Sequence, residues 1–399
     1  MPAVRRLPVV ADLTLVTAGA MTANVAGYLL QMLASRWLGV TGYSEFASLL
    51  AVQLLCAVPA LALQNVVARE LVRGASVAAL RGLQWRCAVI VAVVAAALVP
   101  LVTAVLNVGV IACAAALGAA PALVLLSGEQ GILQGGRRFR ALAMVLGTAG
   151  VARVAPALVV LASGGSAAPA LWAAAFGIIA AAAFARYTAA SPPPRPRPTA
   201  DSVGVLPVLR AAQVQAALMA LSSADLIVAR IVLGEADASR YALGAIAAKI
   251  AFWLPQAVGV VLYPRMAQPT HSTRAIRDAL AVLSGIGIVA VVGAAVAAPV
   301  APLFAGQDYA PIEGMLWLFA LQGAILAVLQ GALLSAIAVD RTALAALTWL
   351  GLAVELVLMT SFARSVPALI TTAVGVAAAT TLLVAVIVLR TADHSASRP

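Results

Sequence analysis

Cys87–Leu106 reads CAVIVAVVAAALVPLVTAVL, twenty consecutive residues with no charged side chain. A helix of about twenty residues rises roughly 30 Å, the thickness of a bilayer's hydrocarbon core. A strand of a membrane barrel would alternate apolar and polar side chains, and this run shows no alternation. Pro100 lies inside it. In lipid, neighbouring helices can re-satisfy the backbone that a proline frees, so the span is not broken there.

The same texture extends through the chain. Hydrophobic residues make up 64% of it and charged residues only 10%. A soluble domain is about a quarter charged, so this chain lacks the polar groups to cover a globular surface in water. Apolar runs separated by short breaks predict spans at 11–34, 44–67, 84–106, 108–127, 141–162, 168–187, 206–229, 241–263, 278–303, 312–338, 342–363 and 366–389. Leu106-Asn107-Val108-Gly109 and Val339-Asp340-Arg341 are read as the tightest turns. The expected fold class is an all-α polytopic membrane protein of about 12 transmembrane helices. Arg5 and Arg6 precede an apolar stretch, as a secretory signal would open, but Leu13–Leu33 is too long for a signal core and is read as a retained first helix.

The net charge of +11 is carried almost wholly by arginine. In water it would suggest nucleic acid. Here the arginines sit in short loops, where they set topology and meet lipid headgroups, so no nucleic-acid partner is expected. With the N-terminus cytoplasmic, nineteen arginines fall on the inner side and four, Arg36, Arg230, Arg240 and Arg364, on the outer. One missed helix would invert every later loop, so the bias supports twelve spans with both termini cytoplasmic.

Ser191-Pro192-Pro193-Pro194-Arg195-Pro196-Arg197-Pro198 is too rich in proline for a helix and favours extended polyproline II. It divides the chain into a six-helix lobe at 1–190, a Pro/Arg-rich cytoplasmic linker at 191–204 and a second six-helix lobe at 205–399. The two lobes echo each other. Arg36-Trp37-Leu38-Gly39, Tyr43, Pro59 and Arg69 in the first answer to Arg230-Ile231-Val232-Leu233-Gly234, Tyr241, Pro255 and Arg265 in the second. Parallel repeats of this kind are an architecture of transporters, with the substrate site expected between the lobes.

Two of the echoing stretches are also familiar. LLQMLASRWLGVTGYSEFASLL, with the later VPALALQNVVARE, resembles the opening of bacterial polysaccharide exporters, the lipid-linked oligosaccharide flippase family of the multidrug/oligosaccharidyl-lipid/polysaccharide exporter superfamily. ADLIVARIVLGEADASRYALGAIAAKIAFWLPQAVGVVLYPRMAQ looks like the start of that family's second lobe, and LQGGRRFRAL like its loop between the fourth and fifth helices. The last four helices look generic, and the chain is short with minimal loops. The resemblance implies an alternating-access flippase for a lipid-linked sugar in the bacterial cytoplasmic membrane. Its partners would be membrane lipid, the lipid-linked sugar substrate and polysaccharide assembly proteins.

Ionisable groups inside spans are costly and are functional candidates by default. Asp225 and Glu355 are candidate ion-coupling residues, because a carboxylate in an apolar surround can take and release H+ or hold Na+. The resemblance implies an acidic residue at the place of Asp225, whereas a purely structural Asp225 would pair with Arg230 or a neighbouring helix. Lys249 is the only lysine beside twenty-four arginines, and a compact ammonium suits a pyrophosphate, or it snorkels to the outer interface. Arg153 lies mid-span, where its fork would suit a phosphate diester, or it pairs with Glu129 or Glu355. Arg36 and Arg230 hold matched places at the outer mouth as substrate ligands or headgroup anchors. Asn24 and Gln256 are the preferred sugar-reading amides, while most others, Gln322 and Gln53 among them, are expected to bond helix to helix.

No metal site, catalytic residue or cofactor is expected: His271 and His394 lie in a loop and the tail, and Cys56, Cys87 and Cys113 lie in or beside apolar segments. A coupling H+ or Na+ is the one small partner foreseen. The chief alternative is an ion-coupled multidrug or cation antiporter of the same superfamily. An integral-membrane enzyme of polysaccharide assembly would place paired acids in sizeable loops, and the spaced acids Glu235 and Asp237 lie in a short outer turn.

Overall fold

The computed structural model describes residues 7–106, 108–190, 204–255, 258–261, 263, 272–300, 307–338 and 342–396. Among them it is helical throughout, with no strand. Ten helical stretches are long and apolar enough to cross a membrane. The first helix, Leu7–Val72, covers both of the remaining predicted spans, 11–34 and 44–67. The proline-rich linker lies outside the described residues, except for Gly204.

The chain forms two compact units, Met1–Ala212 and Gln213–Pro399. The first contains α1 (Leu7–Val72), α2 (Val77–Leu106), α3 (Val110–Gly118), α4 (Ala120–Gly135), α5 (Phe139–Ala162) and α6 (Ala167–Thr188). The sequence predicts a break at 35–43, yet helical backbone runs unbroken through α1. The run is nevertheless doubled back. Ala23 abuts Gly150 of α5 so closely that any side chain there would collide with it, and Gln53 bonds Arg153, three residues further along α5. A straight helix would hold residues 23 and 53 about 45 Å apart. The two arms therefore form a hairpin, and Leu30, Ala34, Phe46 and Leu49 meet in one core with Ala112, Cys113, Ala115, Ala116 and Leu117 and with Val154, Ala157 and Leu161.

The Gly109 N–H donates to Glu45 Oε1 at 2.7 Å, tying the start of α3 to α1. The predicted span 108–127 continues as α3 and α4 to Gly135, about two turns past its expected end, because Ala119 bonds back to Ala115 and carries the helix onward. α2 buries only Leu80, Leu83, Gln84, Cys87, Ala88 and Ala95, a stripe of helical period. Its exposed Val89, Val93, Leu101 and Val105 would face lipid.

The second unit contains most of α7 (Leu206–Leu221), then α8 (Ala224–Val232), α9 (Glu235–Trp253), α10 (Ser272–Ala297), α11 (Leu316–Ala338), α12 (Ala345–Phe362) and α13 (Val366–Ala396). The span predicted at 206–229 is cut into α7 and α8 by Ser222 and Ser223. Ser222 Oγ donates to the Met219 carbonyl at 2.9 Å, one of the local bonds by which serine competes with a helix ladder. The interruption puts Asp225 in the first turn of a new helix. Gly323 of α11 lies so close to the Ala248 backbone of α9 that a Cβ there would overlap it. Small residues permit such close helix contact in membranes, where apolar burial alone does not drive association.

Candidate functional site

The second unit gathers its polar groups where α8, α9, α11 and α12 meet. Asp225 on α8 is 2% exposed and Glu355 on α12 is 1% exposed. Asp225 Oδ2 accepts the Tyr241 hydroxyl at 2.9 Å and the Gln322 amide nitrogen at 3.0 Å. Its Oδ1 accepts the Leu226 backbone N–H at 2.8 Å, one of the donors left free at the start of α8. Tyr241 is held from the other side by the edge of Phe319, with ring centres 5.0 Å apart. Glu355 lies within electrostatic range of both Asp225 and Tyr241. Its Oε2 and the Gln322 Oε1 are buried with no hydrogen-bond partner among the described residues.

The arrangement gives Asp225 three neutral donors and, among the described residues, no ion pair. Ion pairs found elsewhere include Arg69 and Arg73 with Glu70, Arg81 and Arg186 with Glu129, and Arg240 with Asp237. The oxygens of this region, from the Asp225 and Glu355 carboxylates, the Gln322 amide and the Tyr241 phenol, are all hard donors. Such a set suits a proton or a hard cation better than a soft metal. No cluster of three His, Cys, Asp or Glu side chains able to hold a metal exists among the described residues.

The structure thus puts Asp225 and Glu355 within electrostatic range of each other. Lys249 is exposed, two turns beyond Tyr241 on α9, and acts on Asp225 by charge across a gap with no direct bond. Arg230 lies in α8, but its side chain is outside the described residues, as is Gln256. Asn24, Arg36 and Arg153 belong to the first unit; Asn24 and Arg36 are exposed on α1. Arg153 is half-buried on α5, and one terminal nitrogen donates to Gln53 Oε1 at 2.6 Å. Glu129 does not pair with it, being held by two Arg81 bonds of 2.9 and 3.2 Å.

Sequence reasoning misses Tyr241, Gln322 and Gln53 as site members. It marks Tyr241 only as a repeat landmark and the two glutamines only as helix-to-helix donors. The one sequence signal for Tyr241 is its spacing, sixteen residues after Asp225. Gln322 is ninety-seven residues away, with no local signal at all.

No protein-family model matches the chain, and no curated protein matches its sequence. Solved structures share its fold. A transporter of the MOP superfamily from Pyrococcus furiosus, described as having a binding pocket of reverse polarity, aligns at TM-score 0.75 and 11% identity over 97% of this chain and 96% of that one. A point mutant of the Vibrio cholerae MATE transporter VcmN aligns at 0.75 and 15% over 97% and 96%. A multidrug resistance MATE family transporter in an outward-facing conformation aligns at 0.70 and 13% over 98% and 95%. The shared fold is therefore that of MOP superfamily transporters, spanned over nearly its whole length.

Proposed function

We propose that this chain is a secondary transporter that exchanges H+ or Na+ for an exported solute, in the manner of a multidrug or cation antiporter. The observation that carries the reading is the Asp225–Glu355 pair, two buried carboxylates within electrostatic range of each other, Asp225 held by neutral donors and neither with a cationic bond partner among the described residues. Unpaired negative charge inside a membrane is expensive. A cation arriving there relieves that cost, and its departure restores it. A site whose energy depends so strongly on one ion can bias two conformations of alternating access. The fold shared with multidrug transporters supports an amphipathic solute as cargo.

A second reading, flipping of a lipid-linked oligosaccharide, is favoured by the exporter-like stretches that open both halves and by the exposed Lys249, a point charge suited to a pyrophosphate. Polysaccharide assembly proteins would be partners under that reading alone. Both readings place the chain in a bacterial cytoplasmic membrane with both termini inside. In proteoliposomes carrying a proton or sodium gradient, wild-type protein should drive efflux of a cationic dye, and D225N and E355Q should each abolish the gradient dependence. Wild-type rates in the D225N/E355Q double variant would end the coupling assignment. Movement of lipid-linked sugar without dye would make the second reading the better one.

A further inference from the structure

The first unit carries the opposite charge at the corresponding span. Arg153 stands near the middle of α5, the fifth span of its half, and Glu355 near the middle of α12, the fifth span of the other. A guanidinium cannot discharge itself by losing a proton, so its charge must be met by neighbours or by a ligand.

The neighbours do not meet it. One terminal nitrogen donates to Gln53 Oε1 at 2.6 Å, and that partner is neutral. The Arg153 Nε is buried with no hydrogen-bond partner among the described residues. Gln53 is 2% exposed, and its own amide donates only a long 3.5 Å bond to the Ala116 carbonyl. The adjoining residues Val154 and Ala157 belong to the apolar core. Every acid of the unit whose side chain is described is committed elsewhere: Glu45 to the Gly109 N–H, Glu70 to Arg69 and Arg73, and Glu129 to Arg81 and Arg186.

We infer that Arg153 and Gln53 form an anion-binding site in the membrane interior of the first unit. The ligand is a phosphate, a carboxylate or a halide, either free or as the anionic group of a lipid. Arginine's planar fork takes such oxyanions through two parallel N–H bonds, and the buried Nε is a donor without a partner among the described residues. Gln53 fixes the plane of the fork from one side and leaves its amide nitrogen as a further donor once the weak bond to Ala116 is given up. The site stands whichever solute the carboxylates of the second unit move.

The test uses purified full-length protein in phosphatidylcholine nanodiscs, with equilibrium dialysis of radiolabelled phosphate and of radiolabelled chloride. A third arm replaces part of the phosphatidylcholine with phosphatidylglycerol and reads the shift in thermal unfolding. Wild type should show saturable binding in a soluble-anion arm or a stabilising shift in the lipid arm, and the responding arm identifies the source. Q53E supplies the guanidinium with a carboxylate of its own and removes nothing from the core. It should weaken the response at least about tenfold, as expected when a built-in partner displaces a ligand charge, and should unfold at a higher temperature than wild type without anion. R153Q should lose the response, whereas R86Q, an exposed arginine on α2, should keep it. Absence of a wild-type response in all three arms, or an equal response in Q53E, would overturn the site. Neither result touches dye transport through Asp225, so the two proposals fail separately.

Discussion

The Tyr241 hydroxyl donates to Asp225 Oδ2 at 2.9 Å, joining α9 to α8 through a carboxylate that is 2% exposed. A hydrogen bond to a charged group contributes about 1.5–3 kcal/mol. Y241F keeps the ring and its edge contact with Phe319 while deleting that donor. It should lower the thermal unfolding midpoint, lower the half-saturating proton concentration about tenfold, because a carboxylate that loses a donor holds a proton more tightly, and leave the maximal rate within about twofold, the signature of a residue that positions a binding group. A Y241F protein indistinguishable from wild type in all three would remove Tyr241 from the site.

Two arginines of the first unit share Glu129 unequally. Arg81 makes a two-point contact at 2.9 Å with its side chain 22% exposed, whereas Arg186 stands 3.7 Å away and is 56% exposed. Exposed pairs contribute about 0–1 kcal/mol, while stripping the partner from a buried charge costs several times more. R81A should therefore depress stability by about 2–3 kcal/mol and R186A by less than about 1 kcal/mol. Chemical denaturation in mild detergent ranks the two, and the reverse order would refute this division.

Helix contact through glycine gives a paired prediction in the second unit. A Cβ at Gly323 would overlap the Ala248 backbone, whereas one at Gly293 meets nothing within 4 Å. G323V should prevent α11 from closing on α9 and abolish the monodisperse peak in size-exclusion chromatography. G293V should elute as wild type does. Equal profiles would mean that α11 and α9 do not pack as closely as described.

The topology is open to reporter fusions. Residue 75, after α1, and residue 195, in the linker, should both report a cytoplasmic location, because nineteen arginines against four favour that side. An outward report at either residue would invert the assignment.

The spans are legible because lipid imposes a length and an apolar character on any helix that crosses it, and runs such as Cys87–Leu106 satisfy both without reference to any other part of the chain. Interruptions are harder to read. The turn at 35–43 keeps helical backbone, so the usual breakers do not locate it. The break at Ser222–Ser223 falls within a continuous apolar run, where two serines look like ordinary tolerated polar residues. The carboxylates stand out as charges among apolar neighbours. Their partners do not: Gln322 reaches Asp225 across ninety-seven residues, and no period or motif connects them. Lys249 shows the limit from the other side. Its rarity draws attention to it, but rarity does not say which face of α9 it occupies, and it lies on an exposed one.

The doubled-back first helix also has a schedule. Both arms of α1 close on α5, and Gln53 finds its partner in Arg153 one hundred positions later. At about 5–20 residues per second, the ribosome needs roughly 5–20 seconds to deliver that arginine. Throughout that interval the hairpin must be sheltered by the insertion machinery or tolerate an amide facing lipid. Birth of the first unit therefore has a natural checkpoint at its fifth span, and a stall in translation before residue 153 would leave the chain at its most vulnerable to membrane proteases.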